Sequence, residues 1–255
     1  MECQLKEYYI LYFDILGYKN KIKENEEKFL NEIQTCMREV DDYIKRDFEC
    51  SFNKQLGMLP NEQIGGNISI PELDKMVFSD NFCFAIEKSN SGKVNEMTLK
   101  VLSYVAANFQ MALIYKLNLS IRGAITVGNL YINYNENNAE QANYIFGSGL
   151  VNAVEKEAQA IYPRIIIDAA LANDANLKCI NDNDIYYLDY LSFASCSIPT
   201  YAKNAEDMIN KHKEFIISNL EKHCDCCNVK RKFLWLKNYH NTFCNDKYAK
   251  YLIEE

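Results

Sequence analysis

The stretch that decides the fold is YYILYFDILGYKNKIKEN, residues 8–25. Its first six residues are aromatic or branched, and such side chains pack well on a pleated surface, so they predict a buried strand. Asp14 follows directly, and after Ile15, Leu16 and Gly17 the sequence becomes charged and helical. An unpaired buried carboxylate is costly, so it normally has a partner or binds a metal. We therefore predict a strand that ends in a compensated aspartate, followed by a glycine turn into a helix.

The composition limits the kinds of partner that the protein can have. The 255 residues fit one large domain, or one domain with an appendage, and can bury a substantial core. There are 28 Lys and Arg residues against 35 Asp and Glu residues, which gives a net charge of -7. Such a balance offers no general electrostatic grip on nucleic acid or an anionic membrane. We expect neither partner, and we expect any phosphate to be bound locally.

The apolar segments and cysteines indicate a cytoplasmic protein. No apolar run approaches the roughly 20 residues of a membrane helix, and the first residues lack the order of a signal peptide. Most of the ten cysteines are scattered singly, as reduced thiols are in a reducing compartment. The exception is HCDCCN, which contains His223, Cys224, Cys226 and Cys227. Its spacing differs from that of paired zinc ligands, so a reduced loop is favoured over a metal site.

The pattern through residue 168 reads strand, helix, hairpin, helix, hairpin, helix, strand. The predicted elements are a strand at 7–14, a helix at 19–47, a loop at 58–73, a hairpin around 79–81, a helix at 96–117, a strand pair at 119–134 broken at 128–129, a helix at 149–162 and a strand at 164–171. This order favours an α+β fold, a ferredoxin-like antiparallel sheet covered by helices, over a doubly wound parallel sheet.

The remainder of the chain changes character after about residue 173. It contains short strands near 185–190, an amphipathic helix at 201–222 and a closing helix from 229. His212 and His223 are expected on the solvated side of their helix. We therefore predict a core over 1–172 and a mostly helical extension over 173–255 that packs on it.

Asp14 and Asp80 are the candidate metal ligands. Asp14 ends the first strand and Asp80 lies at the tip of the central hairpin, so the two carboxylates meet at one rim if these strands are neighbours. The simplest compensation for their repulsion is a divalent cation, or a pair, held by oxygen ligands. Such a site suits phosphoryl transfer, with the backbone N–H groups at the Gly17 turn available to phosphate oxygens. The alternatives are a helix N-cap for Asp14 and an ordinary turn residue for Asp80.

Four blocks of the sequence resemble, in order, those of class III nucleotidyl cyclases: FDILGYK, MVFSDNFCFAI, SIRGAITVGNLYI and FGSGLVNAVEKEAQAIYPRIIID. The resemblance is closer to the bacterial pyrimidine cyclases of Pycsar anti-phage defence, in which an Ala-x-x-x-Glu helix followed by Tyr-Pro-Arg-Ile is typical. It covers about residues 8–168, and the closing KRKFLWLKNYHN resembles that group's C-terminus. It implies a class III cyclase core that converts UTP to cyclic UMP and pyrophosphate, as a second messenger for a separate effector protein.

The resemblance also implies roles for individual residues. Asp14, Asp80 and the carbonyl of Ile15 would bind two divalent metal ions, manganese or magnesium, and the segment of Leu16, Gly17 and Tyr18 would contact the substrate. The family assembles each active site from both chains of a homodimer. Asn152 and Lys156 match the spacing of the family's Asn and Arg, which reach the triphosphate across the interface. Arg122 and Arg164 match arginines that can neutralise phosphate.

Two departures from the family pattern bear on these roles. Lys156 replaces an arginine, which keeps the charge and loses the bidentate fork, so an exposed helix lysine is the alternative. Met76 occupies the position of the base-reading lysine of purine cyclases, and a thioether cannot donate a hydrogen bond. A pyrimidine nucleotide is therefore favoured over ATP.

Several other readings of the sequence stay open. Cytidylate cyclase and a catalytically degenerate nucleotide-binding module are the alternatives to uridylate cyclase. A diguanylate-forming palm domain shares the two carboxylates but lacks the Gly-Gly-Asp/Glu hairpin. Each arginine could also pair with an acidic residue, as strand-end arginines commonly do.

Overall fold

The computed structural model describes residues 4–43, 73–133, 144–196, 198 and 201–254. The strands in this part of the chain are β1 Lys6–Leu16, β2 Asp74–Phe78, β3 Asn81–Glu87, β4 Ser120–Asn133, β5 Tyr144–Phe146, β6 Ile165–Ile167, β7 Cys179–Asp182 and β8 Ile185–Leu188. The α-helices are α1 Tyr18–Tyr43, α2 Gly92–Leu117, α3 Ser148–Gln159, α4 Ala169–Asp174, α5 Tyr190–Cys196, α6 Ala205–Lys222 and α7 Cys227–Cys244.

The strands form one sheet in the order β2-β3-β1-β4-β6-β8-β7, with β5 paired to β4. β3 is antiparallel to β1 and β2, β8 is antiparallel to β6 and β7, and β4 runs parallel to β6. The first four strands follow the chain order β1-α1-β2-β3-α2-β4 and the spatial order 2-3-1-4, which is the ferredoxin-like arrangement. The predicted α+β class, with an antiparallel-dominated sheet, is confirmed.

The described residues divide into two compact units that interleave along the sequence. The first is drawn from residues 1–14, 71–102 and 122–188, and it contains the sheet with α3 and α4. The second is drawn from 15–70, 103–121 and 189–255, and it contains α1, α5, α6 and α7. The predicted domain boundary between residues 172 and 173 stays a prediction. The strands β7 and β8, which follow residue 173, belong to the sheet.

Aromatic stacking and an apolar cluster hold the sheet unit together. The rings of Phe13 and Phe82, on the paired strands β1 and β3, stack with centroids 5.1 Å apart. The apolar cluster consists of Tyr8, Ile10, Cys83, Ala85, Leu130 and Ala153, with Tyr12, Met76, Ile132, Ile145 and Leu150 packed against it. Ala153 joins this cluster from α3, so α3 packs on the strands that carry the candidate site.

The local predictions are largely confirmed, with three corrections, the first of which is that the strand predicted at 164–171 covers only Ile165–Ile167 and is followed by α4. The hairpin around residues 79–81 forms as predicted, whereas the loop predicted at 58–73 lies outside the described residues except Leu73. The strand pair broken at 128–129 is wrong, because β4 continues through both residues. Gly128 serves a close approach to another backbone, and not a turn. The first helix is interrupted at Asn25, whose φ of -168° and ψ of 103° are not helical, and Asn25 Oδ1 accepts from the Lys28 N–H.

The expectation that no apolar segment approaches the length of a membrane helix is wrong for α2, which in the described part of the chain is long and apolar enough to cross a membrane. However, 83% of its most apolar window is buried inside the protein. Burial to this degree is expected for the core helix of a folded unit, because its side chains pack against protein. Length and composition alone therefore make α2 weak evidence for a membrane span.

The prediction that His212 is solvated is wrong, since its side chain is fully buried. Its Nε2 lies 2.5 Å from the Tyr190 hydroxyl and its Nδ1 lies 2.9 Å from His240 Nδ1. His240 Nε2 lies 3.0 Å from the carbonyl oxygen of Tyr251. Because a carbonyl only accepts, His240 carries its proton on Nε2, His212 carries its own on Nδ1, and Tyr190 donates to His212. This chain of hydrogen bonds requires both imidazoles to be neutral.

Burial lowers the pKa of His212, and the neighbouring His240 lowers it further. Burial also lowers the pKa of His240. The hydrogen bond to the Tyr251 carbonyl raises this pKa in part, and the positive charge of Lys213 lowers it further. A folded-state pKa below the unfolded value means that the unfolded chain takes up protons first as the pH falls. The stabilisation is therefore complete above about pH 6.5 and is lost below it.

We predict that the contribution of these histidines to the free energy of unfolding falls between pH 7 and pH 5 by up to about 1.4 kcal/mol per pH unit for each histidine kept neutral. The measurement is urea denaturation followed by circular dichroism at several pH values. His212→Gln should reduce this slope, because the group that titrates is removed. His223→Gln, at a partly buried position outside the hydrogen-bond chain, is the matched control and should retain the slope. An unchanged slope in His212→Gln would contradict the assignment.

Candidate active site

The two candidate metal ligands lie at the same rim of the sheet. β1 and β3 are antiparallel neighbours, and their register places Asp14 opposite Asn81, the residue after Asp80. Asp80 follows Ser79, which has a φ of 59° in the hairpin turn. Asp80 Oδ1 accepts a hydrogen bond of 3.2 Å from Asn81 Nδ2, and Asn81 Oδ1 accepts one of 2.6 Å from the Tyr12 hydroxyl. The turn is therefore tied to the neighbouring strand by side chains.

Arg122 on β4 connects Asp14 to a further carboxylate on α3. Its NH2 group donates to Asp14 Oδ2 at 3.2 Å. Its Nε lies 2.5 Å from Glu157 Oε1, in the geometry of an ion pair and not of a hydrogen bond. The side chain of Glu157 is only 9% exposed, whereas those of Asp14 and Arg122 are 20% and 24% exposed. One guanidinium therefore serves two carboxylates in a largely enclosed place.

The enclosed position changes the protonation of these groups. Burial raises the pKa of Asp14, the charge of Arg122 opposes that rise, and the negative charge of Asp80 adds to it. Burial also raises the pKa of Glu157, and the adjacent Asp14 carboxylate raises it further. Burial, followed by the charges of Glu157 and Asp14, raises the pKa of Tyr12 to about 12. Each of these shifts favours the protonated form, and a bound cation would oppose them because it stabilises ionised carboxylates.

The donor set at the rim fits a divalent cation. Asp14 Oδ1 is buried and has no hydrogen-bond partner, so one lone-pair-bearing oxygen is unsatisfied. Carboxylate and carbonyl oxygens are the ligands that magnesium and manganese prefer. The described residues hold no group of three or more His, Cys, Asp or Glu side chains in the arrangement of a metal site. Asp14 and Asp80 are two carboxylates, so the remaining ligands of a cation would come from backbone oxygen, water or substrate.

A close approach of two glycines holds α3 against β4. A Cβ atom at Gly128 would lie 2.6 Å from the Cα of Gly149, and one at Gly149 would lie 2.7 Å from Ile10 Cδ1. Gly147, just before α3, has a φ of 147°, which side chains rarely allow. The start of α3 contacts β4. Glu157 lies two turns further along α3, where it reaches Arg122 of β4. The glycines therefore set the distance between Glu157 and the rim.

The residues predicted to act across a dimer interface lie on the outer part of α3. Asn152 is exposed, and Lys156 is a quarter exposed and pairs with Asp168 of the same chain. Burial lowers the pKa of Lys156. Within the described residues of this chain, the ion pairs and hydrogen bonds of Asp14 involve Arg122 and neither Asn152 nor Lys156. Their roles at the triphosphate stay predictions.

The other predicted site residues fall into two groups. The first group lies at the end of β1, which continues through Ile15 and Leu16. Gly17 has a φ of 91° and turns the chain, so that α1 begins at Tyr18. The carbonyl oxygen of Gly17 accepts a hydrogen bond of 3.1 Å from the Asn20 N–H. The substrate and metal roles of this group stay predictions.

Met76 and Arg164 form the second group. Met76 is partly buried against the apolar cluster of the sheet. Arg164 is 2% exposed, donates to the Ala160 carbonyl and pairs with Asp182. For Arg164, the alternative that a strand-end arginine pairs with an acidic residue is therefore observed, with Asp182 as the partner.

Sequence reasoning did not assign roles to Tyr12, Asn81 and Glu157. Tyr12 lies two residues before Asp14, so the strand period of two places both on one face. Glu157 occupies the buried row of α3 formed by Gly149, Ala153 and Glu157, which are spaced four residues apart. A glutamate on the buried face of a helix is unusual. The four-residue spacing from Gly149 and Ala153 was the feature of the sequence that could have indicated that Glu157 is buried.

We predict that Gly128→Ala destabilises the protein by about 1–3 kcal/mol, because the new methyl group overlaps the backbone of Gly149. The displacement of α3 should also separate Glu157 from Arg122. Urea denaturation measures the loss of stability. Gly92→Ala is the matched control, since nothing lies within 4 Å of a Cβ at that position. Equal stability of the two variants would show that the glycine contact is not needed.

No protein-family model matches the chain, and no curated protein sequence is detectably similar to it. Among solved structures, it is similar to the adenylyl cyclase CyaB from P. aeruginosa, with 13% identity, a TM-score of 0.48 and coverage of 73% of this chain and 94% of that one.

Two other similar structures are guanylyl cyclases. Cya2 has 10% identity, a TM-score of 0.47 and coverage of 74% and 94% of the two chains. The dimeric guanylyl cyclase domain of the RhoGC fusion protein from Blastocladiella emersonii has 10% identity, a TM-score of 0.47 and coverage of 72% and 97%. At these values the similarity is not evidence of a shared activity.

Proposed function

We propose that this protein is a metal-dependent nucleotidyl cyclase that converts a pyrimidine nucleoside triphosphate, UTP by preference, to its cyclic monophosphate and pyrophosphate. The observation that carries the proposal is the rim where Asp14 and Asp80 meet, with a buried, unpartnered oxygen on Asp14 and an arginine beside it. The order of the sequence blocks that resemble class III cyclases supports the same reading.

In the proposed reaction, the oxygen of the ribose 3′ hydroxyl attacks the α-phosphorus in line with the leaving group. A bond forms between that oxygen and phosphorus, the bond from phosphorus to the β-phosphate oxygen breaks, and the hydroxyl proton passes to solvent. Pyrophosphate leaves with the bonding electron pair, so no oxidant, reductant or water is consumed. The residues needed are those that orient the triphosphate and stabilise its charge as the phosphorus becomes five-coordinate.

Asp14 and Asp80 are the residues that would hold two divalent cations, manganese or magnesium, with the carbonyl of Ile15 as a further ligand by resemblance. When bound, such cations lower the pKa of an attacking hydroxyl and neutralise phosphate charge. Arg122 would add a positive charge beside the triphosphate. Leu16, Gly17 and Tyr18, at the turn into α1, would contact the phosphates, because the first N–H groups of a helix have no partner within it.

The preference for a pyrimidine rests on Met76 and on the sequence resemblance. Met76 stands where purine cyclases of this class have a base-reading lysine, and its thioether has no proton to donate to a ring nitrogen. UTP is favoured over CTP by resemblance alone, so a cytidylate cyclase is the nearest alternative. By the same resemblance, the cyclic product would be a second messenger in anti-phage defence for a separate effector protein, and the enzyme would act in the cytoplasm.

We predict that the purified protein with manganese forms cyclic UMP when it is offered the four ribonucleoside triphosphates separately, with the products identified by mass spectrometry. Asp14→Asn and Asp80→Asn should each reduce the rate by about a hundredfold or more, because a charged ligand is lost while side-chain size is kept. A folded wild-type protein that yields no cyclic pyrimidine would contradict the proposal. A nucleotide that binds with manganese, yet is unchanged after hours, would instead identify a binding module.

We also propose a homodimer whose two active sites each combine residues of both chains. The outer surface of α3 supports it, because Val151 is 56% exposed and Val154 is 41% exposed on the helix that carries Asn152 and Lys156. Phe146 on β5, just before this helix, is 69% exposed. Apolar side chains exposed together commonly mark a protein–protein contact. In this arrangement, Asn152 and Lys156 of one chain act at the Asp14 and Asp80 rim of the other.

We predict that two inactive variants, Asp80→Ala and Lys156→Ala, restore activity when they are mixed. A two-fold interface gives each heterodimer one site with both mutations and one with neither, so random pairing should return about a quarter of wild-type activity. The measurement is cyclic-nucleotide formation after subunit exchange has been verified by mass. A mixture as inactive as its parents would show that each site lies within one chain, or that Lys156 only serves its ion pair with Asp168.

A further inference from the structure

Arg122 contacts two carboxylates through different nitrogens. Its NH2 group lies 3.2 Å from Asp14 Oδ2, and its Nε lies 2.5 Å from Glu157 Oε1. A guanidinium is planar, so its nitrogens keep fixed positions relative to one another. A single arginine orientation therefore satisfies both contacts.

The contact with Asp14 conflicts with the proposed use of that carboxylate. A divalent cation and a guanidinium are both positive, and at Asp14 they would compete for the same charge and repel each other at close range. The second oxygen of Asp14 is buried without a partner, so it is available to a cation, whereas Oδ2 is occupied by Arg122. Cation binding should therefore weaken the link between Arg122 and Asp14.

Glu157 offers Arg122 a second carboxyl group besides that of Asp14. It comes from α3, a different element, and is the most enclosed of the three side chains. Removing Arg122 from all carboxylates would leave a buried charge without a partner, which is costly. Contact with Glu157 avoids that cost and fixes where the guanidinium remains.

We propose that Arg122 is an exchangeable counter-ion of Asp14, replaced there by a divalent cation, and that Glu157 is the positioning residue that retains Arg122 beside the rim after the exchange. The inference rests on the proposed metal binding at Asp14 and adds an order of events to it. Once Asp14 is taken by a cation, the NH2 group of Arg122 has hydrogens available for an anionic ligand. Glu157 itself acts through Arg122 and touches neither substrate nor metal.

The first experiment measures manganese binding without nucleotide, by isothermal titration calorimetry. Arg122→Met removes the competing charge, so manganese should bind about tenfold more tightly than to the wild type. Arg122→Lys retains a positive charge and should bind manganese within about threefold of the wild type. Equal or weaker binding by a folded Arg122→Met variant would overturn the proposal.

A matched control separates a local effect from the general effect of net charge. Lys88→Met removes the same charge from a residue that has no role at the site, because Lys88 pairs with Glu7 and not with Asp14. It should change manganese affinity by less than about twofold, because the charge removed is not on the ligand. If Lys88→Met tightens binding as much as Arg122→Met does, competition at Asp14 is excluded.

The second experiment follows Arg122 in the wild-type protein by nuclear magnetic resonance, so it does not depend on a variant that folds. The Nε of Arg122 is buried, and its proton should give a protected signal that is identified by its absence in Arg122→Lys. On saturation with magnesium this signal should persist while the Asp14 carboxyl carbon shifts, and Glu157→Gln should move or remove the signal. Loss of the Nε signal on magnesium binding would show that Glu157 releases Arg122 and would overturn its positioning role.

These outcomes are separable from those of the cyclase assay, because no nucleotide is present. A protein that forms cyclic UMP, yet shows no tighter binding in Arg122→Met, would retain the proposed function and lose the counter-ion exchange. A protein that shows the exchange and forms no cyclic product would retain the exchange and lose the proposed function. Absence of any cation binding to the wild type would contradict both.

Discussion

Asp14 lies near the end of an inner strand of the sheet, and one of its carboxylate oxygens contacts Arg122 while the other is buried without a hydrogen-bond partner. A carboxylate in this position can be tolerated only if positive charge is brought to it, since desolvation raises its free energy in the ionised form. The neighbouring strand β4 supplies Arg122, and α3 supplies Glu157 to hold that arginine. The arrangement of three separate elements thus follows from the need to compensate one charge.

The need to bring Glu157 to Arg122 explains why glycines, which have no side chain, are found where α3 contacts β4. Glu157 can reach Arg122 only because α3 starts in direct contact with β4, where Gly128 and Gly149 allow the backbones to approach. Packing in the sheet unit is dense on this side, with Ala153 of α3 against Tyr8 and Ile10 of β1. Small residues here do not mark flexibility; they determine the spacing at which the charged groups meet.

The second unit uses buried polarity differently. Tyr190, His212 and His240 form a chain of hydrogen bonds that ends on a backbone carbonyl, and each donor and acceptor has one permitted direction. A satisfied neutral network can specify which side chains of α5, α6 and α7 meet, because any other pairing leaves a buried polar atom unmatched. Here charge is avoided, whereas at the sheet rim it is concentrated.

The sequence alone determined the first strand, though it placed the end at Asp14 and not at Leu16, together with the hairpin at Asp80 and the α+β class, because apolar periodicity and turn residues act over short distances. It also indicated that the two aspartates meet, once β1 and β3 are neighbours. It misread Gly128 as a break and His212 as solvated, because a glycine or a histidine has the same local pattern in either setting. Only the tertiary structure decided that Arg122 joins Asp14 to Glu157, since that contact depends on the distance between β4 and α3, and no local spacing encodes it.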